Sequence, residues 1–333
     1  MILVTGGTGL IGSHLLFELT KRGKQVKALK RSKSNISVTQ RIFDAYSETS
    51  NAQFSLIQWV EGDVVDYPSL CQAMDGVDEV YHCAAMVSFN KRDFETMLTV
   101  NVQGTANMVD AALEAKVQKL CHVSSVASLG NPVDGDMVNE DAQWGKSKGK
   151  SGYAVSKFRS EMEVWRGIEQ GLKAVIVNPS VIIGPCKWDS GSGQLLGTLA
   201  KGFPFYTQGI TGYVDVRDVI DSMLTAVEKD LWGQRFVING ENISHQKVFE
   251  LIAHEFGNKP PSIRVTPMMS SLAWRAARIV SLITGKSPAL TRETAQSGHS
   301  ITYYSAKKME QDLGVRPRTI AEAVKNAVRV GSL

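Results

Sequence analysis

Val4-Thr5-Gly6-Gly7-Thr8-Gly9-Leu10-Ile11-Gly12 is the stretch that decides the fold. A short β-branched run, Ile2 to Val4, precedes it, and a helical pattern from Ser13 to Arg22, ended by Gly23, follows it. Between a strand and a helix, Gly6 permits the tight turn, Gly9 lets backbone approach a pyrophosphate, and Gly12 allows close helix–strand packing. The helix N-terminus adds unpaired N–H groups and a favourable dipole for phosphate. Gly6, Thr8, Gly9, Leu10, Ile11 and Gly12 are therefore assigned to a dinucleotide rather than to a purely structural turn.

Next along the chain, the second strand runs from Gln25 to Lys30 and ends in Lys30-Arg31-Ser32-Lys33. An acidic residue about 20 residues past the glycines would bond the ribose 2′-hydroxyl of NAD. Arg31 instead can grip a 2′-phosphate in a forked geometry, which favours NADP(H) over NAD(H); the alternative is a solvated cationic turn. Asp63-Val64 closes the third strand, read over Phe54 to Glu61, where a side chain can accept from the adenine amino group or merely cap an acidic turn.

β-Branched runs and helical patterns keep alternating: Pro68 to Met74 (helix), Val80 to Cys83 (strand), Phe94 to Ala115 (long helix), Leu120 to Ser124 (strand), Tyr153 to Gln170 (helix) and Ala174 to Asn178 (strand). The pattern predicts a Rossmann-type doubly wound parallel sheet, with a smaller, mostly helical C-terminal substrate domain. The expected division is 1–178 plus about 214–240 for the cofactor, and about 179–213 plus 241–333 for the substrate. Gly184-Pro185, Gly191-Ser192-Gly193 and Gly202 to Pro204 mark loops in the second part, while Met268 to Ile283 and Ala306 to Asp312 read as helices.

Of 333 residues, 43% are hydrophobic and 21% charged, ordinary for a globular chain and unlike disorder, collagen or a membrane bundle. The net charge of +4 is scattered, so no nucleic-acid footprint is indicated. Met268 to Ile283 carries Arg275 and Arg278 near its middle and is too short and too charged to span a bilayer. Cys71, Cys83, Cys121 and Cys186 lack C-x-x-C spacing, so no metal site or disulfide framework is expected. With no visible signal peptide, a cytoplasmic enzyme is expected.

Tyr153-Ala154-Val155-Ser156-Lys157 places a phenol and an ammonium one helical turn apart. The ammonium is expected to lower the Tyr153 pKa from about 10, fitting it to exchange a proton with an alkoxide or alcohol. Ser125, at a strand end, can donate to the same oxygen. By itself the spacing is also that of an ordinary surface pair.

Together the glycine loop, His82-Cys83-Ala84-Ala85, Asn101-Val102-Gln103-Gly104-Thr105, Val123-Ser124-Ser125 and Tyr153-x-x-x-Lys157 resemble the extended short-chain dehydrogenase/reductases over nearly the whole chain. The resemblance implies Tyr153 as acid/base, Lys157 also on the nicotinamide ribose, and Ser125, rather than Ser124, polarising the carbonyl. It also puts Ala84, Ala85, Asn101, Val123, Tyr153, Lys157, Pro179 and Ser180 at the cofactor, and a homodimer through the helices at 94–115 and 153–170.

Val123 to Gly130 and Val177-Asn178-Pro179-Ser180 look most like the dihydroflavonol 4-reductase and 3β-hydroxysteroid dehydrogenase branch. Thr211 replaces the arginine with which the sugar-nucleotide branch holds its diphosphate. The expectation is an NADP(H)-dependent oxidoreductase moving hydride between nicotinamide and a ketone or secondary alcohol of an apolar or polycyclic small molecule. The alternatives are a nucleotide-sugar epimerase/dehydratase with tightly bound NAD(P) and a non-catalytic dinucleotide-binding regulator. Met86, Phe89 and Trp188 are candidate substrate contacts or, equally, core packing.

Overall fold

Runs such as Leu3-Val4, Val80-Tyr81 and Leu120-Cys121 have no polar alternation, as expected of strands covered on both faces. The computed structural model, which describes residues 1–331 apart from 134, 136, 148, 189–192, 285–287 and 289, shows why. Seven strands form the main sheet: β1 (Ile2–Thr5), β2 (Val26–Lys30), β3 (Ile57–Glu61), β4 (Glu79–His82), β5 (Lys119–Val123), β6 (Ala174–Pro179) and β7 (Gln234–Ile238). All pair in parallel, in the order β7-β6-β5-β4-β1-β2-β3. Leu3, Val80, Leu120 and Ile176 face one apolar cluster, with Leu70, Met108 and Val164 from the covering helices. Val4, Tyr81, Cys121 and Val175 face the other, with Leu15 and Val219.

The chain winds from β1 towards β3 and from β4 towards β7, so a crevice opens beyond the C-terminal ends of β1 and β4. Thr5 and His82, register partners there, mark its floor. A third cluster, with Ile183, Leu196, Tyr213, Val248, Ile252, Ile320 and Val324, forms the smaller core. It lies against a three-stranded sheet of Val181–Ile183, Ile210–Asp215 and Glu241–Ser244.

Three local readings change. The long helix expected over 94–115 is a 3₁₀ turn (Lys91–Asp93), an α segment (Phe94–Met97), a π segment (Leu98–Gln103) and a second α segment (Gly104–Glu114). Phe54 belongs to the helix Ser50–Phe54, its ring packed on Phe43 and Trp59, so the third strand starts at Ile57. The expected helix at 306–312 is largely a π turn, Met309–Leu313, closed by Gly314 at φ 73°. The Gly191-Ser192 loop lies outside the described residues. No helix among the described residues is long and apolar enough to cross a membrane.

Candidate active site

The phosphate loop is bare backbone because nothing larger fits. Gly6 sits at φ 69°, and a Cβ on it would lie 2.8 Å from the Ala84 amide nitrogen. A Cβ on Gly12 would lie 2.2 Å from the Gly6 carbonyl oxygen. The helix Leu10–Lys21 starts with Gly9 at its N-cap and no side-chain cap. Exposed Gly9 and half-buried Thr8, Leu10 and Ile11 thus surround a cradle whose N–H groups suit a pyrophosphate. Arg31 is exposed at the end of β2, its amide bonded to Ser34 Oγ at 3.2 Å. The Asp63 carboxylate accepts from the Val65 amide at 3.2 Å, and the Val64 carbonyl from Asn107 Nδ2 at 3.0 Å, so both residues also shape the turn.

A chain of polar groups ties this loop to the next strand. The Ala84 N–H donates to Thr5 Oγ1 at 3.1 Å, and Thr5 Oγ1 lies 2.8 Å from His82 Nδ1. His82 Nε2 is 3.1 Å from Thr105 Oγ1, which donates to the Asn101 carbonyl at 2.6 Å. The directions fix the tautomer: Thr105 has given its proton to Asn101, so His82 carries its hydrogen on Nε2 and accepts at Nδ1. Burial pulls its pKa down to about 3, keeping it neutral. The Asn101 amide accepts from Met86 N at 2.7 Å and donates to Met86 O and Ser156 Oγ, both at 2.9 Å. The π segment thereby clamps the loop after β4 to the helix of Tyr153; π segments recur at functional sites. Ala85 lies exposed beside that loop.

Tyr153 and Lys157 stand on the helix Gly152–Glu169, which Ser151 caps through the Ala154 amide at 3.0 Å. The Ser125 hydroxyl stands near the Tyr153 phenol, close enough to favour its ionised form. Ser124 faces away, its hydroxyl donating to Glu161 Oε2 at 2.7 Å. Lys157 Nζ, almost wholly buried, donates to the Val123 carbonyl at 2.8 Å. Burial lowers the Lys157 pKa to about 8, against the opposing pull of Glu161. The Tyr153 phenol is pushed up by burial, partly offset by Ser125. The expected lowering by Lys157 is therefore corrected: the ammonium is directed at a backbone carbonyl, and desolvation dominates the phenol.

The sequence reading missed Glu161 and Arg235. The Glu161 carboxylate accepts from Ser124, Ser128 and Asn178 Nδ2 at 2.7, 2.7 and 2.8 Å and pairs with Arg235 at 3.0 Å. Burial opposes its charge, but Arg235 and the serine hydroxyls outweigh that and hold its pKa below the usual value. The available signal was a carboxylate at 161 on the face of Tyr153, Lys157 and Val164. The Asn178 Oδ1 and Ser180 Oγ atoms, bordering Pro179 at the end of β6, are buried without protein partners and so are free to meet a polar ligand.

The Phe89 ring meets the Tyr153 ring edge-on at 5.9 Å and is partly exposed. Met86 is half-buried, its backbone held by Asn101. Trp188 packs edge-on against Phe256 at 5.2 Å in the smaller core. It also lines a cavity of about 1080 Å³ with Asn35, Arg41, Lys187 and Phe203, so it is both core and wall.

The model of the NAD dependent epimerase/dehydratase family matches residues 2–239. A Synechocystis sp. protein named "Putative dihydroflavonol 4-reductase" is 32% identical, covering 98% of this chain and 92% of its own. The sterol demethylase protein B of Methylococcus capsulatus is 30% identical over 80% of this chain and 78% of its own. The crystal structure of gox2253 superposes with a TM-score of 0.80 at 32% identity, covering 98% of this chain and 96% of that one. The chain belongs to the NAD-dependent epimerase/dehydratase family, as an extended short-chain dehydrogenase/reductase that uses a nicotinamide dinucleotide in oxidoreduction at CH–OH carbons.

Proposed function

We propose that the protein is an NADP(H)-dependent reductase of a ketone, or oxidant of the matching secondary alcohol, in an apolar or polycyclic small molecule. The observation that carries this reading is the Ser125–Tyr153 hydroxyl pair beside buried Lys157 at the crevice over β1 and β4. The dinucleotide, when bound, supplies or accepts hydride at nicotinamide C4. Ser125 holds the substrate oxygen, and Tyr153 delivers its phenolic proton to that oxygen as negative charge develops. Lys157 binds the ribose, and Ser125 favours the tyrosinate left behind. The glycine loop takes the pyrophosphate, Arg31 the 2′-phosphate, Asp63-Val64 the adenine, and Ala84, Ala85, Asn101, Val123, Pro179 and Ser180 complete the cofactor wall.

Residues 1–178 and 214–240 form the cofactor domain, and 179–213 with 241–333 shape the pocket. Phe89 and Met86 meet the substrate, and two copies pair through the helices at 94–115 and 153–170. The names of the Synechocystis and Methylococcus relatives, a flavonoid reductase and a sterol demethylase protein, support a polycyclic substrate. Against a sugar-nucleotide epimerase stands Thr211, an uncharged side chain where that branch holds its diphosphate with an arginine. The test is NADPH consumption, followed by absorbance, across a panel of apolar ketones. Tyr153→Phe is expected to cut turnover by about 10²–10⁴ while leaving NADPH affinity within about twofold. Unchanged turnover removes Tyr153 from the chemistry, and NAD retained through dialysis by the purified protein favours the epimerase.

A further inference from the structure

The helix Pro267–Thr284 is inside out. Its inward stripe is Ser270, Trp274, Ala277 and Ser281, of which the two serines are buried, and Ser270 Oγ bonds His299 Nε2 at 2.8 Å. Its outward face carries Met268, Leu272, Ile279, Leu282 and Ile283, each 58 to 79% exposed. At 3.6 residues per turn these five fall in one sector. A helix on a water-facing surface normally does the reverse, and a contiguous apolar patch marks an interaction surface.

Along the chain, the charge of this stretch is of one sign. From Asn258 to Thr291 the chain has five cations, Lys259, Arg264, Arg275, Arg278 and Lys286, and no Asp or Glu. Arg278 lies at the edge of the apolar sector; Arg275 is rooted within it, and its guanidinium turns back to the Ser271 carbonyl and to the Trp274 ring, 4.8 Å from the ring centre. The face also continues towards the cleft. Exposed Ile263 pairs with exposed Phe205, whose ring meets that of Phe203 on the wall of the 1080 Å³ cavity. At its other end it packs against the helix Arg292–Ser297, whose Glu293 carboxyl lies near the backbone of Gly152, next to Tyr153.

An acid-free cationic flank beside a sector of Met, Leu and Ile complements anionic headgroups above acyl chains. We propose that this helix lies in the surface of an anionic lipid bilayer, with the mouth of the cleft beside it. Self-pairing through the same face would set like charges against each other with no carboxylate to match them. Eighteen residues interrupted by Arg275 and Arg278 lie on a bilayer rather than cross it.

The test is co-flotation of the whole purified protein with phosphatidylcholine vesicles with or without phosphatidylglycerol, at low and high salt. Binding is expected to the anionic vesicles and to weaken with salt. Leu272→Gln/Ile279→Gln/Ile283→Gln is expected to abolish it, with melting temperature and NADPH affinity kept as the check on folding. Arg275→Gln/Arg278→Gln is expected to lower the partition constant roughly thirtyfold, about fivefold per cation. Wild-type protein that stays unbound to anionic vesicles at low salt overturns the proposal. So does a dimer that the triple variant converts to monomer with no vesicle binding by either form, because the face then pairs copies of the chain.

Discussion

Gly12→Ala tests the phosphate loop most directly, because the three atoms nearest the new methyl are all backbone. It would lie 2.2 Å from the Gly6 oxygen, 2.7 Å from the Gly6 carbonyl carbon and 2.9 Å from Gly7 Cα. Restoring an ordinary carbon–oxygen contact moves the helix Leu10–Lys21 about 1 Å from the turn. The turn cannot retreat, since Gly6 already has the backbone of Cys83 and Ala84 behind it. Overpacking of this kind costs about 3 kcal/mol, at the upper end of its usual range. For a chain of this length that is a fall in Tm of about 4 °C. The same 1 Å stretches the amide bonds to a pyrophosphate; losing two charge-assisted bonds at about 1.5 kcal/mol each weakens NADPH binding roughly a hundredfold. Calorimetric titration with NADPH and a thermal melt read both effects. Gly23→Ala is the control: it follows the end of the same helix at φ 73° with nothing within 4 Å of its Cβ. It costs about 1 kcal/mol of backbone strain and leaves NADPH affinity unchanged. Wild-type affinity in Gly12→Ala would show that the cofactor does not use this loop.

Arg31→Asp is expected to lower the NADPH-to-NADH preference at least about tenfold, since a carboxylate repels the 2′-phosphate and accepts from a ribose hydroxyl; an unmoved ratio of the two affinities rejects Arg31 as the reader. Glu161→Gln leaves Arg235 without its buried partner and is expected to cost about 3 kcal/mol by denaturant titration. Because Glu161 titrates below its ordinary value, the stability it adds is present above about pH 4.3 and lost as pH falls through the folded value, so the variant's unfolding must be less steep in acid. Lys157, lowered to about 8, is protonated below that pH and neutral above it. Activity that needs the ammonium falls above pH about 8, and a rate flat well into the alkaline range contradicts the assignment. The linked stability has the opposite sense: burying the ammonium costs stability below pH 8, and the cost fades as pH rises towards the unfolded lysine value of about 10.4.

Much of the molecule is written in local sequence. The strand–glycine–helix opening, the apolar runs of β1, β4, β5 and β6, and the one-turn spacing of Tyr153 and Lys157 are short-range patterns, and the backbone obeys them wherever the chain is packed. The sequence places Ser124 and Ser125 side by side, and the end of the strand turns the Ser125 hydroxyl towards Tyr153 and the Ser124 hydroxyl to Glu161. Other features depend on groups far apart in the chain. The π segment at 98–103 exists within a stretch whose residues read as plain helix, and its Asn101 binds a loop and a helix 15 and 55 residues away. Glu161 keeps its charge because β7 brings Arg235 to it across 74 residues and the turn after β5 adds the Ser124 and Ser128 hydroxyls. The Tyr153 pKa was misjudged for the same reason: spacing gives the neighbour on the helix, whereas desolvation is set by everything packed around it. The helix Pro267–Thr284 has an apolar composition that suits a core as well as a surface, and only its seating decided that the serines point inward and the aliphatic side chains outward. Periodicity shows which residues share a face, but the direction of that face is fixed by the surfaces it packs against.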